Sequence, residues 1–213
     1  MKFRQGASVY TADGQEIGHI DRVVIDPKTK QVTNVVIRKG LLFPDDRVAS
    51  INLVAEATED HINMRGDIGD LHDLPKFEEK HYVQVADGEG GSSSLSASHY
   101  ADALYGYPPA GPIAGADTGP KYTSRVEQNV PEGTVAVREG ARVIAEDGKL
   151  VGRVEEILTD SGTKQATHIL ISQGLLTKER KLIPIFWVRE FEENKIYLAA
   201  PAEILETIKP YQN

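Results

Sequence analysis

Metal or proton chemistry would first be sought among the six histidines, His19, His61, His72, His81, His99 and His168, because imidazole binds metals and titrates near neutrality. No two of them stand at HxH or HxxxH spacing, the separations that put two rings on one face of a strand or helix. The densest set of ligating atoms is DIGDLHDLP, with Asp67, Asp70, His72 and Asp73. Asp70 and Asp73 lie three apart and would share a helix face as oxygen ligands for a divalent ion. The same acids suit a solvated helix start, where negative charge meets the helix dipole. The second half of the chain has Ile204 and Thr207 at the corresponding places, so nothing in the fold requires those acids, and no metal site is expected.

Paired carboxylates are the next candidates, since two acids in different environments can act as acid and base. Asp26 and Asp160, Glu56 and Glu190, and Glu59 and Glu193 recur in both halves. Asp26 precedes a proline at a turn, where its side chain is expected to bond local backbone N–H groups rather than a substrate. The glycine-rich DGEGGS at 87–92 runs into serine-rich sequence, not into the Lys-Ser/Thr of a phosphate loop. No GxSxG elbow presents a serine nucleophile. The chain has no cysteine, which excludes disulfides, thiolate metal sites and thiol nucleophiles. The expectation is a protein with no catalytic site and no cofactor.

The elements that would position such residues come in two copies. Residues 29–42 read TKQVTNVVIRKGLL and residues 163–176 read TKQATHILISQGLL. Adding 134 to a residue number superposes the copies without a gap from residue 6 to residue 64, and 20 of those 59 positions are identical. Gly6, Gly14, Gly18, Asp26 and Gly40 fall on Gly140, Gly148, Gly152, Asp160 and Gly174, the turn and bulge positions of the pattern. A repeat with intact internal patterning means that each copy folds as a unit. Between the copies, residues 87–121 are rich in Gly, Pro, Ser and Ala, too poor in apolar surface to offset the entropy of ordering. The expected organisation is one domain at 1–81, a flexible linker at 82–129 and a second domain at 130–213. Tyr100, Tyr105 and Tyr107 stud the linker, which reads as solvated.

Val and Ile runs broken by turn signals mark each copy as mostly β. Asp13-Gly14 and Asp147-Gly148 are tight-turn dipeptides. Ile17, Ile20, Val23, Val24 and Ile25 do not alternate cleanly; a strand with a bulge near Asp21-Arg22 shifts the phase by one residue, and Val154 and Ile157 bracket Glu155-Glu156 in the same way. Val35 and Ile37, then Ala49, Ile51 and Leu53, then Ile62 and Met64 supply further strands. Ile169 and Ile171, then Ile183, Ile185 and Trp187, then Ile196 and Leu198 match them. Five short strands with a bulge in about 60 residues suggest a small closed barrel, ending in a short capping helix around 68–74 and 202–208. A domain of this size is marginal alone, so an intramolecular pair of barrels, or a homodimer, is expected.

The pattern Gly-Ala-x-Val, Asp-Gly, Gly18-x-Ile20, Val23-Val24-Ile25-Asp26, Val35-Val36-Ile37 and Gly40-Leu41 resembles the PRC-barrel domain, in both copies. The resemblance implies a fold class that is all-β: two small PRC-type barrels. The domain forms the cytoplasmic part of the photosynthetic reaction centre H subunit and the C-terminal part of a bacterial ribosome maturation factor, so it implies an adaptor that binds other macromolecules. Three roles follow as expectations: a non-catalytic interaction or scaffold module, a peripheral accessory of a photosynthetic or electron-transfer membrane complex, and an RNA- or ribosome-associated factor. A net charge of −8 argues against autonomous nucleic-acid binding and against anionic membranes. No run is long and apolar enough for a membrane span, and a cytoplasmic location is the default, at most peripheral to a membrane. The loops KGLLFPDD and QGLLTKER place Leu41, Leu42, Phe43, Leu175 and Leu176 either as plugs of the barrel ends or as an apolar patch for a protein partner. Trp187 reads as core by its alternation with Ile183 and Ile185, or as an interface anchor.

Overall fold

The computed structural model describes residues 1–4, 6–40, 44–66, 68–84, 122–138, 140–174 and 179–212. Its strands run, in chain order, β1 (Lys2–Arg4), β2 (Ser8–Tyr10), β3 (Glu16–Ile25), β4 (Val32–Lys39), β5 (Asp45–Ser50), β6 (Val54–Ala57), β7 (His61–Met64), β8 (Glu78–Gln84), β9 (Tyr122–Gln128), β10 (Val135–Arg138), β11 (Arg142–Ile144), β12 (Leu150–Thr159), β13 (Ala166–Gln173), β14 (Glu179–Pro184), β15 (Val188–Phe191) and β16 (Lys195–Leu198). Among the described residues one α-helix, α1 (Ala202–Glu206), follows. The chain is all-β. Met1–Glu79 and Gln128–Asn213, the two copies, form one compact unit, and Lys80–Glu127 forms another. The stretch between the copies begins and ends in strand, because β8 and β9 pair as a two-stranded sheet.

Each copy builds the same curled sheet, in the order β5-β4-β3-β2-β7-β6 in the first and β14-β13-β12-β11-β16-β15 in the second. The long strands β3 and β12 carry the bend. Their ladders shift register between Ile20 and Arg22 and between Val154 and Glu156, so Asp21 and Glu155 are the extra residues. That extra residue lets Ile20 and Val23, three apart, both reach the same core. Gly18 and Gly152 sit where the backbone of the neighbouring strand comes close. A Cβ on Gly18 would lie 2.5 Å from the carbonyl oxygen of Arg38, and one on Gly152 2.8 Å from that of Ser172. Their φ angles of +151° and +155° also strain L side chains.

Local structure differs from the sequence pattern at two places. Ile51 and Leu53, with Ile185 and Trp187, do not continue β5 and β14. Each strand ends one residue earlier, and Ile51–Leu53 and Ile185–Trp187 turn as 3-10 helices into β6 and β15. The capping element is an α-helix only in the second copy. In the first, Leu71–Asp73 is a 3-10 turn: Asp70 caps the N–H of His72, Asp73 caps Asp70 and Gly69, and Pro75 follows. Asx-type bonds of this kind compete with helix propagation.

The two copies interlock through their first strands. β1, which precedes the first copy, pairs antiparallel with β12 of the second, with Phe3 opposite Ile157. β10, which precedes the second copy, pairs antiparallel with β3 of the first, with Val137 opposite Val23. The offset of 134 maps Lys2, Phe3 and Arg4 onto Ala136, Val137 and Arg138, so the exchange is reciprocal. Phe3 and Val137 are fully buried. The turns that follow β3 and β12 meet as well. Val32 N donates to Lys164 O at 3.0 Å and Ala166 N to Lys30 O at 2.8 Å. The side-chain amides of Gln31 and Gln165 donate to Thr163 O and Thr29 O, at 3.2 and 3.1 Å. Every one of these bonds has its counterpart under the same offset, which makes the seam a local two-fold axis.

Candidate functional site

Where β10 joins β3, an ion-pair chain with alternating charges crosses from the first copy to the second. Arg38 grips Asp46 through two bonds of 2.7 Å and reaches Asp21 at 2.6 Å. Asp21, the bulge residue, accepts from Nε of Arg22 at 3.0 Å. Arg22 then pairs with Glu193 of the second copy. Arg22 and Asp21 are buried, so each charge needs its partner to offset lost hydration. The Arg22 guanidinium also lies 4.6 Å from the ring centre of Phe77, and the hydrogen bonds that Arg38 donates to Asp46 hold its guanidinium above the ordinary pKa. Phe77, with Val130 and Ala136, covers the outward-facing Val24, Val36 and Val48.

The matching junction, where β1 joins β12, has the same backbone and different charges. Glu156 stands at the place of Arg22, opposite Arg4. It is only 3 % exposed, and its Oε1 finds no hydrogen-bond partner among the described residues. Burial pushes its carboxyl above the usual range; the Glu59 carboxylate adds to this, while Lys2, Arg4 and Arg180 oppose it. Lys2 bonds Glu59, which raises the lysine pKa. Arg180 pairs with Glu155 at 2.9 Å.

Among the described residues, the most exposed aromatic side chain lies beyond the seam. On the 3-10 turn Ile185–Trp187, Phe186 is 74 % exposed. Its ring meets Trp187 edge to face, with centroids 6.2 Å apart. Trp187 is half-buried and packs against the core, and its carbonyl accepts from Ala199 N at 2.8 Å. Phe186 is thus held out on a braced base. The first copy has Asn52 and Leu53 at these places. Sequence reasoning stopped at Trp187 and missed Phe186. The available signal was the replacement of Asn52 by a large aromatic inside the repeat.

Asp26 and Asp160 are turn formers. Oδ1 of Asp26 accepts from Lys28 N and Thr29 N, and Oδ1 of Asp160 from Gly162 N and Thr163 N. These backbone bonds hold both carboxyls below the usual range. Gly6, Gly14, Gly40, Gly140, Gly148 and Gly174 all adopt positive φ and lie at turns and strand ends rather than together. Asp70 and Asp73 cap their own 3-10 turn, and among the described residues no three His, Cys, Asp or Glu residues cluster as a metal site would need. Asp67, His99, the three linker tyrosines, DGEGGS, Leu41, Leu42, Phe43, Leu175 and Leu176 lie outside the described residues. No described helix is long and apolar enough to cross a membrane.

Two segments of the chain, 5–68 and 139–205, match the PRC-barrel domain family, and together they make up more than half of the chain. No curated protein matches the chain significantly.

Proposed function

The chain belongs to the PRC-barrel family, and from that premise we propose that it is a non-catalytic interaction or scaffold module whose partner is another protein. One observation carries this reading: Phe186 stands 74 % exposed on a turn braced by Trp187, in the copy where the repeat has replaced an asparagine. A large apolar ring kept in water on a rigid base lowers the entropy cost of docking, and buried aromatics dominate interface energetics. The interlocked barrels support the same reading, because they give the ring a stiff platform. The acidic net charge of −8 disfavours a nucleic-acid partner.

The test compares wild type with Phe186→Ser as baits in lysate of the source cell, membranes included. The substitution is on the surface and should move stability by no more than about 0.5 kcal/mol. The reading expects a stoichiometric protein retained by wild type and lost by the variant. An identical set of bound proteins on both baits would refute it.

A further inference from the structure

Apart from the seam and Phe186, the second barrel contains a partly open cavity of about 150 Å³. It lies between the start of β12, the end of β13, the first half of β14 and α1, with Val151, Ile171, Ala202 and Leu205 as its apolar walls and Lys181 beside them. The first copy shows where this space comes from. Its corresponding residues are Ile17, Ile68 and Arg47 in place of Val151, Ala202 and Lys181. Ile17 and Ile68 are buried in the core. The exchange of Ile for Val and Ile for Ala removes carbon from this wall, and interiors are otherwise close-packed. An apolar space of roughly this size accepts a single aromatic ring, and here the apolar walls adjoin the polar side chains of Lys149, Gln173 and Glu206.

The cation at the wall differs too. Arg47 is turned to its own copy: it bonds both carboxylate oxygens of Asp45, the carbonyl of Leu74 and the ring of His72. Lys181 is only 6 % exposed. Its ammonium donates to Leu205 O at 3.1 Å and pairs with Glu179 at 3.3 Å. An ammonium has three donors, so one remains for an acceptor in the cavity. Leu150, 54 % exposed, lines the same opening and would be covered by an occupant.

We propose that this cavity binds a small molecule made of one ring or a short branched chain and bearing a carboxylate or carbonyl oxygen. The hydrocarbon part fills the space left by the missing isoleucine carbons, and the oxygen accepts from Lys181. Because Glu179 already balances Lys181, recognition rests on the hydrogen bond rather than on net charge.

The test titrates the full chain with benzoate, 4-methylpentanoate and toluene, reading the methyl resonances of Val151, Ile171 and Leu205. Saturable shifts with the two acids at millimolar concentration are expected. Ala202→Ile, which restores the first copy's residue, should weaken binding at least tenfold and leave the unfolding midpoint unchanged or higher. Lys181→Met should weaken the acids by a similar factor and spare toluene. Should Ala202→Ile misfold, Val151→Ile carries the same readout. No saturable shift with any probe, or undiminished binding in the filled variant, overturns the cavity as a site. Equal binding of acids and toluene that Lys181→Met leaves unaltered overturns the role of Lys181.

Discussion

The two strand-exchange junctions are the same structure with opposite electrostatics. At one, β10 lies on β3 and Arg22 is held between Asp21 and Glu193. At the other, β1 lies on β12 and Glu156 occupies the same place, buried, with an oxygen that finds no partner among the described residues and with Glu59 nearby. The backbone pairing and the buried contacts of Phe3 and Val137 are common to both. Main-chain pairing needs no particular side chain, so it survives the divergence of a repeat. A buried charge must be matched residue by residue, and the match was kept on one side only. The comparison separates the two jobs of the seam: the exchanged strands hold the barrels together, and the charges tune how firmly each strand is held.

The largest effect should come from the shared feature. Phe3→Ala removes a fully buried ring from the second barrel, although the residue precedes the first, and should cost about 3–5 kcal/mol. Unfolding in urea followed by Trp187 fluorescence, which reports the second copy, and by far-ultraviolet circular dichroism, which reports both, should shift together. A shift in the fluorescence transition alone would show that the copies are not coupled by the exchange. Next is the matched junction. Arg22→Met leaves Glu193 without its partner and Asp21 with one cation fewer, and should lower stability by about 3 kcal/mol, read from the same midpoints.

The unmatched junction should respond with the opposite sign. Glu156→Gln removes a buried charge and should raise stability at pH 8 by about 1 kcal/mol. The pH dependence follows from its raised pKa. The folded value lies above the unfolded one, so the contribution of Glu156 is fully present below the unfolded pKa and is lost as pH rises through the folded pKa. The wild-type midpoint should therefore fall relative to that of Glu156→Gln on the alkaline side of that window, and a constant difference across it would contradict the assignment. The smallest effects belong to Asp26→Ala and Asp160→Ala. Both acids have lowered pKa values, so their stabilisation is present above the unfolded pKa and is lost as pH falls through the folded one. Each variant should be slightly less stable at neutral pH and converge on wild type in acid; equal stability at neutral pH would dismiss the turn role.

The turns and the bulge were legible because they are local. Asp-Gly and Asp-Pro/Asp-Ser set φ/ψ over a few residues, and the broken alternation from Ile17 to Ile25 records an extra residue directly. The 3-10 turns at Ile51–Leu53 and Ile185–Trp187 were not legible, since their apolar spacing over three residues mimics a strand. The candidate surface was half legible: the position of Trp187 was marked by its size, whereas the exposure of its neighbour Phe186 depends on what the other elements leave uncovered.

By itself the sequence determined the duplication, the all-β class, the bend at Asp21 and Glu155, and the aspartate turns, all of them carried by local conformational preference or by the period of the apolar residues. Only the tertiary structure decided which sheet each first strand joins. β1 and β10 occupy the same place in the repeat, and each could pair with either long strand by pattern alone. The choice is made by the fit of two bodies around the Gln31–Gln165 axis, and so are its consequences: an acid buried where its counterpart is an arginine, and a cavity where a shared fold is filled by smaller side chains.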